Sequence, residues 1–338
     1  MTDVAQSGPA PRIISAVLGS PALRLIVKRL LTAIPILLGV SILMFVLLNL
    51  LPGSAALQLL GPQATPEQIA KLNDELGFNR PPVQRYLEWL GNFVRGDLGK
   101  SIVSKQPVAQ VLPEKLAVTG ELVALAFVIS LGVAIPLALW AARRPNKIFD
   151  RISGLFTTAG LSLANYVLAL LLGLAFAVKL PWFPSFGFTS ISKGLGNNLY
   201  SLFLPAVALA FPLLCFYARF LRSDLVDQLQ GEDYVMTARA KGLGPWRVLL
   251  RHAFRNSSFG LITIVGLNIS TLIGATVIIE RIFALPGIGA YLLDGILTRD
   301  YTRVQAIVMI FALITVLANL AADVLYAVLD PRIRYGSN

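Results

Sequence analysis

The chain is 338 residues long, 56% hydrophobic and only 14% charged, with a mean hydropathy of +0.71. Soluble domains carry about a quarter charged residues, so this composition excludes an ordinary water-soluble globule and points to lipid as the main solvent. A net charge of +11 does not imply nucleic acid as a partner, because the basic residues lie between apolar stretches and form no single basic face.

A membrane-spanning helix needs about 20 mostly apolar residues, and six stretches qualify: 30–51, 122–142, 152–178, 194–218, 256–279 and 304–322. Pro35, Pro136, Pro205 and Pro212 fall inside them, which spanning helices tolerate because neighbours satisfy the freed backbone groups. The first stretch is followed by Ser54, Ala55 and Ala56, as a cleaved signal peptide would be, but its apolar run is too long for a signal core. A retained first span is therefore expected. The organisation reads as a tail over 1–24, a first transmembrane helix over 25–51 and an extracytoplasmic loop over 52–114. A core with five further spans follows over 115–330, and a short tail over 331–338. The outer loop has helical patterning near 67–77 and 83–94.

Lys and Arg in short flanking loops set orientation. Arg12, Arg24, Lys28 and Arg29 precede the first span, and Arg143, Arg144, Lys147 and Arg151 fill the loop after the second. Seven more lie in the 219–255 loop, and Arg332 and Arg334 in the final tail. The short loops on the other side hold only Lys179, Lys193, Arg281, Arg299 and Arg303. Both termini are thus expected in the cytoplasm.

The longest cytoplasmic loop contains QGEDYVMTARAKGLGPWRVLLRHAFRN at 230–256. Glu232 and Asp233 sit where a short helix would begin and Arg239 and Lys241 where it would end, an order that complements the helix dipole. Gly242 fits the left-handed residue that closes a helix, and Gly244-Pro245 a turn into the next one. The physical reading leaves two alternatives: a peg that inserts into a partner's groove, or a capped connector lying on the membrane surface.

This stretch resembles the EAA motif of ABC-importer permeases, with Gly242 at the motif's glycine, and EDYVMTARAKGLG is similar to the dipeptide/oligopeptide/nickel permease family. Four other segments resemble the same family in order: RLLTAIPILLGVSILMFVLLNLLPG (29–53), LGFNRPPVQRYLEWLGNFVRGDLGKS (76–101), ERIFALPGIGAYLLDGILTRDY (280–301) and LDPRIRY (329–335). Ser54 departs from the aspartate often found after the PG, and AFRNSSFG lacks the proline often found near the start of span five. The resemblance implies an all-α, six-span type I ABC-importer permease fold. It also implies a coupling helix near 232–242, in which Glu232, Asp233, Tyr234, Thr237, Ala238, Arg239, Lys241 and Gly242 are the candidates for contact with the ATPase. The implied partners are a second homologous permease, ABC ATPase subunits and an extracytoplasmic substrate-binding protein. The implied cargo is dipeptides or oligopeptides, with haem, glutathione or a nickel complex as alternatives.

RGDLGKS (95–101) superficially suggests a phosphate-binding loop, but that loop needs glycine five residues before the glycine of GKS, and Val94 stands there. No cofactor is therefore expected in this chain, which is read as no enzyme: ATP and magnesium would bind the partner ATPase. Polar groups inside spans are costly and usually face the bundle interior. Asn165, Asn268, Asn319 and Asp323 qualify, with Glu121 and Glu280 at outer ends. Each has two readings, a polar pathway for substrate or interhelical bonding; Asp323 is within reach of a cytoplasmic arginine. His252, with Arg255, is read as an interfacial contact rather than a ligand, and buried-run Cys215 as inert. Pro286, Gly287 and Gly289 interrupt an apolar run and suggest a re-entrant or lid segment, with 281–304 contacting a delivery protein or capping the pathway. A self-sufficient secondary transporter would predict internal repeats and midplane charges, and an intramembrane hydrolase a serine–histidine or aspartate pair within spans; the sequence displays none of these.

Overall fold

The computed structural model describes residues 21–50, 60–61, 63–75, 77 and 79–329. Ser54, most of the N-terminal tail and the LDPRIRY segment beyond Leu329 lie outside the described residues. The helices are α1 Pro21–Leu50, α2 Pro66–Glu75, α3 Pro82–Val94, α4 Val108–Arg143, α5 Ile148–Leu161, α6 Asn165–Lys179 and α7 Leu195–Gly231. They continue as α8 Asp233–Ala240, α9 Pro245–Ile282, α10 Ile288–Leu297 and α11 Tyr301–Leu329. Among the described residues, extended pairing is limited to one isolated bridge, Lys100 to Pro107.

Five continuous helices are long and apolar enough to cross a bilayer: α1, α4, α7, α9 and α11. The sixth span is a bent pair, α5 and α6, which meet at 98°. The stretch 152–178, expected as one helix, is therefore broken. Gly160 lies so close to α7 that a Cβ there would sit 2.3 Å from Cys215 Sγ. Just beyond, the Ser162 and Leu163 amides fold back onto the Ala159 and Gly160 carbonyls. Asn165 then starts the new helix with its own Oδ1 accepting from the Tyr166 amide at 3.0 Å. A glycine contact followed by residues that bond their own backbone supplies the turn.

α7 is the central helix: 61% of its most apolar window is buried, against 22–28% in the other continuous spans. Its Ala206, Ala208 and Ala210 and the Ala134, Ala138 and Ala142 of α4 belong to the same buried cluster. Small side chains let helix backbones approach closely, which is what drives association where lipid and core are equally apolar. The α9–α11 pair uses the same device at Gly266, where a Cβ would lie 2.5 Å from that of Ala322. At 37 residues, α7 is about 55 Å long, well beyond the about 30 Å hydrocarbon layer, so its last turns extend outside it and lead into α8.

The segment that follows α1 is seated on the bundle. Trp89 and Phe93 of α3 pack on a cluster containing Met44, Leu48, Ile288 and Ile307, and the Tyr86 and Ser41 hydroxyls are hydrogen-bonded at 2.8 Å.

Candidate functional site

At one end of the bundle, α8 occupies the position expected for the charged loop helix. Glu232 is extended at its N-terminal boundary and Asp233 opens its first turn. The Gly242 amide donates to the Arg239 carbonyl at 2.9 Å and the Leu243 amide to that of Ala238 at 3.3 Å, with Gly242 at φ +76°. This paired closure needs a left-handed residue, which glycine adopts at little cost. Val235 and Ala238 point inward, and with Val248 form a small buried cluster. Glu232, Asp233, Met236, Thr237, Arg239, Lys241 and Gly242 are exposed. Tyr234 is half-buried: its hydroxyl donates to Gln228 Oε1 at 2.5 Å and accepts from Asn256 Nδ2 at 3.0 Å. Burial pushes its phenol above the ordinary tyrosine range. The helix is thus fixed along one face and presents a polar face, about 12 Å long, with Met236 in it.

The opposite end carries Glu280, Pro286, Gly287 and Gly289. The segment expected to be re-entrant or a lid turns at 283–287 and is then helical, as α10. Glu280 is fully buried. Its Oε1 accepts from Thr119 Oγ1 at 2.6 Å and its Oε2 from the Ala290 amide at 2.8 Å, while Thr119 Oγ1 accepts from the Ile288 amide at 3.0 Å. Together they satisfy the N-terminal amides of α10, which an apolar environment would otherwise leave unbonded. The glycines follow from this approach. A Cβ at Gly287 would lie 2.3 Å from the Glu280 carboxyl carbon, and one at Gly289 2.6 Å from Val277 Cα.

Asp300, not singled out by sequence, forms a second buried knot, just past the other end of α10. It accepts from the Ser101 hydroxyl, from the Ile102 amide at 3.0 Å and from the Arg303 amide at 3.3 Å. The GKS of the rejected phosphate loop therefore ends in a tie to the α10–α11 turn. Gly99, at φ +76°, passes so close that a Cβ would meet Thr302 at 2.5 Å. Arg303 is nine-tenths buried and its guanidinium lies 4.3 Å from the Tyr291 ring centre.

The polar span residues do not converge. Asn165 sits at the α5–α6 break. Asn268 donates to the Ile264 carbonyl one turn earlier at 2.9 Å, and Asn319 receives a 3.4 Å bond from Ser270 across α9 and α11. Glu121 accepts from Asn198 at 2.7 Å. Asp323 forms a two-pronged pair with Arg29, at 2.8 and 3.1 Å. What sequence reasoning missed is Asp150, whose two oxygens take Arg222 Nε at 2.8 Å and Nη2 at 2.6 Å, with the Asn146 amide at 2.7 Å. The pair borders a cavity of ≈ 690 Å³ between α4, α5 and α7, lined also by Arg151, Thr157, Thr158 and Arg219. The only sequence signal was an acidic residue inside a basic loop flank, DRIS after RRPNK.

Two family models match the chain. The "Binding-protein-dependent transport system inner membrane component" covers residues 134–335, and its N-terminal companion covers residues 22–123. Similar proteins align along nearly their whole length. A putative peptide transport system permease protein of Brucella abortus (strain 2308) is 41% identical over 92% of this chain and 99% of its own. The oligopeptide transport system permease protein AppB of Bacillus subtilis (strain 168) is 37% identical over 92% and 99%. The glutathione transport system permease protein GsiC of Escherichia coli O6:H1 is 35% identical over 93% and 99%. With a family model over more than half its length, and a helical bundle with an exposed capped helix between its fourth and fifth spans, the chain belongs to the binding-protein-dependent inner membrane components, the permeases of ABC transporters.

Proposed function

We propose that this chain is one pore-forming permease subunit of an ATP-driven importer of dipeptides or oligopeptides. The observation that carries the reading is α8, whose exposed face and glycine closure give a rigid contact element joined to two spans. In this reading Glu232, Asp233, Thr237, Arg239 and Lys241 meet an ABC ATPase, which binds the ATP and magnesium. Tyr234, Ala238 and Gly242 hold the helix in shape. A second, homologous permease completes the pore, and an extracytoplasmic binding protein delivers cargo to the α10 end. Both termini and α8 then face the cytoplasm of a bacterial cell, in agreement with the basic residues flanking them. The division into a first helix, an outer loop over 52–114 and a permease core over 115–330 follows the same orientation.

The chain itself forms and breaks no covalent bond in this account. ATP binding draws the paired coupling helices together and favours one pore state, and hydrolysis releases it, a shift between pre-existing populations. The ≈ 690 Å³ cavity bordered by the Arg222–Asp150 pair lies between α4, α5 and α7, whereas Asn165, Asn268 and Asp323 have local or structural partners. Glutathione is the second reading, favoured by the likeness to GsiC. Reconstituting the chain with its partner permease and ATPases, and adding binding protein loaded with di- and oligopeptides or with glutathione, separates the two. Stimulated ATP hydrolysis and uptake with peptides supports the first; response to glutathione alone replaces it with the second; uptake without any ATPase overturns both.

A further inference from the structure

The covalent routes out of α8 are both interrupted. Towards α7 the chain passes Glu232, extended at φ −102° and ψ 126°. Towards α9 it passes Gly242 in the left-handed region and Gly244, and the first turns of α9 include a π-helical turn over Leu249–Ala253. A displacement applied to α8 meets compliant backbone in either direction, because non-helical junctions absorb φ/ψ change. Tyr234 bypasses both interruptions. Its hydroxyl bonds Gln228, on the last turns of α7, and Asn256, on α9 beyond the π-turn.

Donor and acceptor roles are fixed by chemistry. The Gln228 oxygen can only accept, so the phenol proton goes to it, leaving the phenol oxygen to accept from the Asn256 amide. Half-burial raises the phenol's pKa, so the proton stays in place throughout the neutral range. The ring rests against the small cluster of Val235, Ala238 and Val248, which seats α8 independently of the hydroxyl.

We propose that Tyr234 is a positioning residue: a single-atom brace through which movement of α8 reaches the α7 and α9 spans together. The inference rests on α8 being the ATPase-coupling element and assigns one side chain the transmission step, as distinct from docking. It explains why the half-buried residue beside Val235 and Ala238 is a tyrosine: phenylalanine would fill the same space without the hydroxyl that links the two spans.

The test uses the full complex in proteoliposomes, with ATP hydrolysis and peptide uptake measured together. Tyr234→Phe keeps the ring and removes the oxygen. ATPase subunits should remain on the permease with wild-type affinity, while peptide taken up per ATP hydrolysed falls about fivefold to tenfold, the scale of one lost hydrogen bond. Asn256→Ala should lower the same ratio, and adding it to Tyr234→Phe should produce little further loss, because both cut one link. An unchanged uptake-to-ATP ratio in Tyr234→Phe overturns the brace. Loss of ATPase association in that variant overturns it too, assigning the hydroxyl to docking. A wild-type chain that holds no ATPase overturns the coupling reading itself, and the brace with it.

Discussion

At the α10 end, the buried carboxylates of Glu280 and Asp300 accept hydrogen bonds from α4, from the Ser101–Ile102 loop and from the backbone of α10 and α11. At the α8 end, an eight-residue helix is seated by three buried apolar side chains and one tyrosine hydroxyl, with its charges left in solvent. The first end ties distant segments into one body, since both carboxylates are buried and hydrogen-bonded to segments far along the chain. The second end has few ties and an open polar face, the profile of an element that meets another protein. The contrast teaches that the buried Glu280 and Asp300 carboxylates mark where segments are locked together, whereas the exposed charges of α8 mark where the bundle is addressed by the ATPase.

The largest expected effect therefore lies at the locked end. Asp300→Ala leaves the Ser101 hydroxyl, the Ile102 amide and the buried Arg303 guanidinium without their carboxylate, and should cost about 3–5 kcal/mol, read as loss of folded protein on detergent extraction and thermal unfolding. Near-wild-type stability would mean that this end is not locked by its carboxylates. Gly289→Ala should follow at about 1–3 kcal/mol, because its Cβ meets the Val277 backbone, which cannot rotate away. Both changes should leave ATPase association unaltered in whatever protein folds.

At the α8 end the changes should be milder for stability and stronger for partnership. Gly242→Ala forces a Cβ into the left-handed region at about 1–2 kcal/mol, with nothing within 4 Å to resist it sterically. The cost should fall on the closure of α8: folded yield nearly retained, ATPase stimulation reduced. The smallest effect is expected at Arg29→Ala. Its partner Asp323 is one-quarter exposed and Arg29 itself is 56% exposed, and such pairs contribute about 0–1 kcal/mol, within reach of a careful unfolding comparison. A loss as large as that of Asp300→Ala would show that surface charge also locks the bundle.

The spans were legible because bilayer thickness imposes a length on apolar runs. α8 was legible because its signals are local: acidic Asp233 in the first turn and Gly242 at the closure need no distant partner. The bend between α5 and α6 was hidden, since hydropathy averages along a chain and carries no direction; Gly160 against Cys215 is a contact between helices, not a pattern within one. The two carboxylate knots were hidden for the same reason. Ser101 and Asp300 are 199 residues apart, and Thr119 and Glu280 are 161 apart, so neither pairing leaves a local mark. Glu280 attracted attention as a charge near a membrane, yet its purpose became visible only with the amides of α10 around it.

The division between a locked and an addressed end can be tested in one cross-linking experiment. Cys215 is the single native cysteine and is buried, so an introduced cysteine reports alone. Met236→Cys on the open face of α8 and Ile296→Cys on α10 replace exposed side chains at the two ends. In the assembled complex, position 236 should cross-link to the ATPase subunit in high yield, with a yield that changes on adding ATP, while position 296 should not cross-link to it at all. Cross-linking of the ATPase at 296, or none at 236, would contradict the account.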